Sequence, residues 1–279
     1  YSLVPDDKET LIKISNPLLL ETSCLRDNIW KEHLEIVNRN IKAGQASCYI
    51  FEIGNVFHKN TEFIQEEVLN GAIYGNRKFG KWVYSGKDND LNYYQARGKL
   101  KEALSCLNIK IDDKPTDEFD FLHPGRTAKL IIEGKEAGYF GEIHPKLILE
   151  KKSLKKVFLF SIYIDNLLTA STRKNKWIPI FKPYPIVPKM ERDINFVFSK
   201  QFLISDIISQ IKKTGKNLLE DVYLIDVFED IKLGEDFISY TFRLSYRDKN
   251  KTLLDSDIKS IHSSIISKIE KNFNTNLRN

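Results

Sequence analysis

Guanidinium groups on one face of a strand can grip phosphates, carboxylates or base edges, because the planar fork offers parallel donors. Residues 238–247 place two of them that way. Ile238, Tyr240, Phe242, Leu244 and Tyr246 alternate with Ser239, Thr241, Arg243, Ser245 and Arg247, the pattern of a half-buried strand. Residues 193–198 alternate likewise, with Ile194, Phe196 and Phe198 on one side and Asp193 and Asn195 on the other. The polar face carrying Arg243, Arg247 and Asn195 is therefore a candidate contact surface.

Bond-making chemistry finds no comparable support. The chain has no Gly-x-Gly-x-x-Gly, no phosphate-cradling loop ending in Gly-Lys-Ser/Thr, no His-Glu-x-x-His and no Gly-x-Ser-x-Gly. His123 and His144 each precede a proline. They stand far apart, with no acidic or cysteine companion at ligand spacing, so each is expected to fix a turn by bonding nearby backbone. Arg126 is expected to pair with a neighbouring acid; its alternative is a clamp on a phosphate or carboxylate. Glu52 interrupts an apolar run, so it must be paired or face outward. Glu142 is a possible acid or base with no identifiable partner. No catalytic residue and no metal ligand is assigned.

Two helices and two further strands must hold the polar face. Ile204, Ile207, Ile208 and Ile211 fall at helical spacing, and Thr214-Gly215 is the expected stop. Ile258, Ile261, Ile265, Ile269 and Phe273 make a second stripe, with Asp255 or Ser256 as N-cap. Val222 to Phe228 reads as a strand closed by a turn at Gly234, and Thr275 to Arg278 as a short last one. Strand, helix, strand, strand, helix, strand is the ferredoxin-like βαββαβ order. Both helices then cover one face of the sheet and leave the polar face open.

Upstream, periodicity predicts a strand over 11–17 and a helix from about Ser23 to Lys42, with Leu25, Ile29, Leu34, Val37 and Ile41 inward. Strands follow at Cys48 to Phe57 and Val68 to Tyr74, then a polar loop over 76–90 around Trp82 and Tyr84. A helix from about Leu91 to Leu107 precedes a short strand at 109–111. A hairpin with arms Lys129 to Ile132 and Ala137 to Glu142 turns at Glu133-Gly134. A short helix after Pro145 and a strand from Lys156 to Ile164 complete it. The fold class is α+β, a mainly antiparallel sheet with helices against it. Prolines at 179, 183, 185 and 188 favour a stiff connector. The expected organisation is a domain over 1–178, a linker over 179–188 and a domain over 189–279.

The length suits two domains with their own cores. A hydrophobic content of 42% is that of a soluble globular protein. No apolar run approaches the ~18 residues of a membrane span, and none reads as a signal peptide. The chain opens on Tyr1 without an initiator Met and is expected to be a piece of a longer protein. Cys24, Cys48 and Cys106 are odd in number and scattered, as in a reducing cytosol. The net charge of +5 permits nucleic-acid contact without demanding it. Its basic excess lies mostly between Lys146 and Lys182, where a solvated surface is the plain reading and a phosphate-facing patch the sharper one.

Seven segments in order resemble the C-terminal part of the β subunit of bacterial phenylalanyl-tRNA synthetases. They are Ile14-Ser-Asn-Pro17 followed by Thr22-Ser-Cys-Leu-Arg26; Phe51-Glu-Ile-Gly-Asn-Val-Phe57; Leu122-His-Pro-Gly-Arg126 with Gly138-Tyr-Phe-Gly-Glu-Ile-His-Pro145; and Tyr184-Pro185, Arg192-Asp193, Leu224-Ile-Asp-Val-Phe228 and Phe242-Arg-Leu-Ser-Tyr-Arg247. The resemblance implies a class II synthetase-like core that has lost catalysis, followed by a ferredoxin-fold anticodon-binding domain. It implies an α subunit that carries the ATP and phenylalanine site, in an α2β2 heterotetramer of the cytoplasm. In the class II pattern an arginine two residues before an acid holds the ATP α-phosphate; here Ile50 stands two before Glu52, and the Gly-x-Gly-x-x-Arg motif is missing. ATP and Mg2+ thus belong to the whole enzyme, and no cofactor to this segment. The family often has Thr or Ser where Leu254 stands, which shifts the capping of the last helix to Asp255 or Ser256.

On this resemblance the open face of the terminal sheet receives the anticodon loop of tRNA(Phe). Arg192, Arg243 and Arg247 would contact phosphates or bases beside Asn195, and Tyr223 would stack, an interaction worth about 1–3 kcal/mol per base. The alternative from another class is an amino-acid-sensing regulatory domain, since ferredoxin-like folds host both.

Overall fold

The computed structural model describes residues 11–18, 23–59, 62–75, 90–150, 156–173, 181, 183, 185–230 and 233–277. It divides into two compact units, Tyr1–Ile180 and Phe181–Asn279. In the first, α1 (Trp30–Lys42), β1 (Ser47–Lys59), β2 (Phe63–Gly75) and α2 (Tyr93–Leu104) come first, with a 3-10 turn at Ser105–Leu107. β3 (Ile111–Pro115), β4 (Leu122–Ile132), β5 (Lys135–Ile143), α3 (Pro145–Glu150), β6 (Val157–Tyr163) and α4 (Ile164–Ser171) follow. The strands make one antiparallel sheet in the order β1-β2-β6-β5-β4-β3.

Apolar layers lie on both faces of that sheet. Phe158, Phe160 and Ile162 pack with Ala96 and Leu100 of α2 and Leu167 and Ala170 of α4. Val157 and Leu159 pack with Trp30, Leu34 and Val37 of α1. β6 is therefore buried almost throughout, and it reads as a continuous apolar run for that reason. Trp30 is core, stacked on Phe121 with ring centroids 4.6 Å apart.

Several boundaries differ from the periodicity. α1 begins at Trp30, not Ser23, because residues 12–14 and 23–25 pair as extended backbone. The Ile14 amide donates to Ser23 O and the Leu25 amide to Ile12 O, both at 2.8 Å, around an isolated bridge at Lys13 and Cys24. Leu25 is thus outside the helix it fits by spacing. α2 starts later than expected, behind Asn92, whose Oδ1 accepts from the Gln95 amide while Gln95 Oε1 accepts from the Asn92 amide, each at 3.0 Å. The short strand lies at 111–115 instead of 109–111. α4 grows directly out of β6 and had no counterpart in the strand-like reading of Ile162 to Ile164. The hairpin turn is where it was expected. Glu133 and Gly134 take φ of 52° and 83°, as a two-residue I′ turn requires. Residues 76–89 of the polar loop fall outside the described residues.

The second unit contains β7 (Met190–Ser199), α5 (Ile204–Gly215), β8 (Leu219–Phe228), β9 (Phe237–Tyr246) and α6 (Asp255–Phe273). Its sheet runs β7-β9-β8, all antiparallel. Leu277 bridges Phe196, so the tail lies along the free edge of β7 and completes the βαββαβ order by one bridge. Arg278 is outside the described residues. Phe196, Phe198, Phe242, Leu244 and Tyr246 meet Ile207 and Ile211 of α5 and Ile258, Ile265 and Ile269 of α6.

One helix end departs from expectation and another meets it. The N-cap of α6 is Leu254, not Asp255 or Ser256; the acid that caps is Asp257, whose Oδ2 accepts from the Leu254 amide at 3.0 Å. A residue three along can serve an orphan amide when the cap itself has no polar side chain. α5 stops at Gly215 as expected, and the positive φ, 49°, falls on Lys216 one residue beyond. Among the described residues no helix is long and apolar enough to cross a membrane.

Candidate nucleic-acid interface

The register of the terminal sheet sets its uncovered face in rows. Asp193 of β7 stands opposite Arg243 of β9, and Arg243 opposite Tyr223 of β8. On one side of this row lies Glu191, Ser245, Asp221; on the other lies Asn195, Thr241, Asp226 and then Val197, Ser239, Phe228. Arg243 is thus the one guanidinium within the grid, and four carboxylates surround it. Lys189 pairs Glu191 at 2.5 Å and Lys212 stands 4.0 Å from Asp221, so the face is a mosaic of both signs in which the carboxylates are numerous.

Every expected contact residue on this unit has a partner. Arg243 donates from Nε and Nη2 to the two Asp193 oxygens, each at 2.8 Å. The side chains are 42% and 43% exposed, so the pair is bidentate yet wet. The bonds from Arg243 hold the Asp193 carboxyl below its usual range and push the guanidinium further up. Arg247 donates from Nε to Glu220 at 3.0 Å. Asn195 Nδ2 donates to Thr241 Oγ1 at 2.8 Å, and its Oδ1 accepts from Ser239 Oγ at 2.9 Å. Tyr223 donates to Asp221 Oδ2 at 3.0 Å, and that bond raises the phenol pKa. Its ring is 49% exposed, free to be covered by a flat partner.

Arg192 stands apart from the other four. It lies opposite Leu244, a core residue, so it belongs to the helix-covered side and pairs with Asp255 at the start of α6. Ser239 and Ser245 are buried on the polar face, 1% exposed, so part of that face is closed by its own longer side chains. The row Asp193, Arg243 and Tyr223 stays open, as do Asp226 and Phe228 on β8. Alternation along β7 and β9 identified the polar side. The partners Asp193, Glu220 and Asp221 were not assigned beforehand, because strand register is not written in a single strand's pattern.

In the first unit the possible reactive groups are structural. Gly125 donates its amide to His123 Nδ1 at 3.0 Å, and Lys146 its amide to His144 Nδ1 at 3.1 Å, so both histidines fix turns as expected. Arg126 Nε pairs with Glu142 at 2.7 Å, and the Glu142 side chain is only 6% exposed. Glu52 is paired too: Arg26 Nη2 meets it at 2.9 Å while Arg26 Nε donates to Asn55 O at 3.0 Å. A Cβ at Gly54 would fall 2.3 Å from Arg26 Nη2, so glycine there lets Arg26 lie across β1. Arg26 is thus held by Glu52 and by the backbone of β1. Among the described residues no cluster of three or more His, Cys, Asp or Glu is arranged to hold a metal.

One surface was not anticipated. Tyr49, Phe51 and Ile53 share one side of the edge strand β1 and are 44%, 72% and 55% exposed. An exposed apolar row on a sheet edge is a feature of interaction surfaces.

Residues 1–164 match the model of the phenylalanyl tRNA synthetase beta chain CLM domain, and residues 185–278 that of the ferredoxin-fold anticodon binding domain. The chain is 88% identical over 279 residues to the phenylalanine–tRNA ligase beta subunit of Prochlorococcus marinus (strain MIT 9312), covering 100% of this chain and 34% of that protein. The same-named subunit of Prochlorococcus marinus subsp. pastoris (strain CCMP1986 / NIES-2087 / MED4) is 66% identical over 278 residues, 100% of this chain and 34% of that protein. That of Synechococcus sp. (strain CC9605) is 43% identical over 279 residues, 99% of this chain and 35% of that protein. The chain therefore spans about a third of the length of the curated relatives it matches. The anticodon-binding match weighs against the amino-acid-sensing alternative.

Proposed function

The chain belongs to the phenylalanyl-tRNA synthetase β chain family, and we propose that it is the non-catalytic C-terminal portion of a phenylalanine–tRNA ligase β subunit. Residues 1–178 are the class II-like core that packs against a catalytic α subunit, 179–188 the linker, and 189–279 the domain that grips the anticodon region of tRNA(Phe). The observation that carries this reading is the uncovered row Asp193, Arg243, Tyr223 on a ferredoxin-fold sheet. A stacking ring beside a guanidinium and a carboxylate suits the face and edge of an unpaired base.

The acid-rich grid favours base recognition over phosphate clamping. Tyr223 supplies a platform, Arg243 donors, Asn195 its remaining amide hydrogen, and Arg247 a donor at the margin. Arg192, on the helix side, contributes least of the five. The α subunit carries ATP, Mg2+ and phenylalanine in a cytoplasmic α2β2 assembly. The apolar row Tyr49, Phe51, Ile53 supports a role for β1 in docking that companion.

Arg243→Ala tests the assignment. In the assembled ligase it should weaken tRNA(Phe) binding by about 1–3 kcal/mol, as loss of a base-edge guanidinium does. Unchanged affinity removes Arg243 from the interface.

A further inference from the structure

We propose that Asp193 is a specificity-determining residue of the RNA surface, holding Arg243 so that its fork is not a general phosphate clamp. The inference rests on the reading that this face meets RNA. It starts from the directly opposed positions of Asp193 and Arg243 in the β7–β9 register and from their two parallel 2.8 Å hydrogen bonds. The Nε–Nη2 edge, one of the two that could take a phosphate oxygen pair, is already filled by a carboxylate of the same geometry.

Phosphates are the same along every RNA, so an unengaged arginine binds all sequences alike. A tethered one behaves differently. A lone phosphate must either displace Asp193 or settle on the outer Nη1 side of the fork with that carboxylate beside it, near Asp221, Asp226 and the Glu191 that Lys189 pairs. Like charges then oppose the exchange. A nucleotide that gives Arg243 an acceptor and gives Asp193 a donor, such as a base imino or amino group, satisfies both. The pair therefore admits a base edge and rejects a bare backbone. Both side chains are about two-fifths exposed, so the exchange needs no rearrangement of the core.

The test uses the assembled ligase with Asp193→Asn, Arg243→Ala and the double variant. Fluorescence anisotropy reads binding of tRNA(Phe) and of a non-cognate tRNA of equal length at two salt concentrations. Asn keeps the size of Asp and removes its charge at an exposed site. With Asp193→Asn the non-cognate tRNA should bind about three- to fivefold tighter, the order of an exposed ion pair released. Its salt slope should steepen by about one, and cognate preference should fall. The double variant should lose the gain. If Arg243→Ala weakens cognate binding but Asp193→Asn leaves non-cognate binding unchanged or weaker, the inference fails and the interface stands. If Arg243→Ala changes neither RNA, both fail. Circular dichroism melts of each variant separate these outcomes from misfolding. If Asp193→Asn melts early, Asp193→Ser takes its place under the same criteria.

Discussion

Removing Arg126 would leave Glu142 without its cation on β5, where its side chain is 6% exposed. A buried carboxylate stripped of its partner is costly, but Arg126 is itself 45% exposed, so water can partly replace it. Arg126→Ala should therefore destabilise the chain by about 2 kcal/mol, read as a lower denaturant midpoint at constant slope. Arg243→Ala contrasts with it. Both members of its pair are exposed, so the stability cost should stay below about 1 kcal/mol while RNA affinity falls. A large stability loss at Arg243 together with unchanged RNA binding would make that pair a structural brace. The comparison also shows what residue type alone reveals. Each arginine was recognisable as a fork awaiting an acid or phosphate, and for Arg126 the acid was the stronger expectation. For Arg243 the acid came from the neighbouring strand, 50 residues away.

At the scale of elements, α6 carries a pH dependence. His262 on this helix meets the Tyr246 hydroxyl of β9 at 3.0 Å through Nδ1. Burial, and secondarily Arg192, hold the imidazole pKa below its usual value. The folded form therefore binds the proton less readily than the unfolded chain. Stability is complete above the unfolded pKa of about 6.5 and is lost as pH falls through the lower folded value. Thermal melts at pH 7.5 and 5.5 should differ, and His262→Gln should shrink the difference; an identical difference would remove His262 from the linkage. Gly54 gives a second prediction. Gly54→Ala should push the tip of Arg26 off Glu52 and, because that pair is also exposed, cost no more than about 1 kcal/mol, measured by denaturant unfolding.

Elements were legible where one pattern acted alone. The strict alternation of 238–246 gave β9 its faces, and Glu133-Gly134 gave the hairpin its turn. Elements were misplaced where tertiary pairing overrode periodicity. Leu25 fits the stripe of α1 by spacing, yet its amide is taken by Ile12. α4 was hidden because β6 is buried on both faces and runs apolar straight into Ile164. Of the candidate site, the polar side of the sheet was readable and its ion pairs were not, since Asp193 meets Arg243 only through register.

The whole molecule is proposed to divide its labour between two units. On that proposal the exposed row on β1 serves assembly, and Phe51→Asp should reduce co-purification of the α subunit several-fold without lowering the melting temperature of this chain. Undiminished co-purification would move that contact elsewhere. On the same proposal the terminal sheet takes RNA, and the bond-making step falls to the companion chain. The most direct measurement takes the assembled ligase carrying Arg243→Ala and compares its KM for tRNA(Phe) with its rate of phenylalanine-dependent ATP–pyrophosphate exchange. The account predicts a raised KM with an unchanged exchange rate. A lowered exchange rate with an unchanged KM would contradict it.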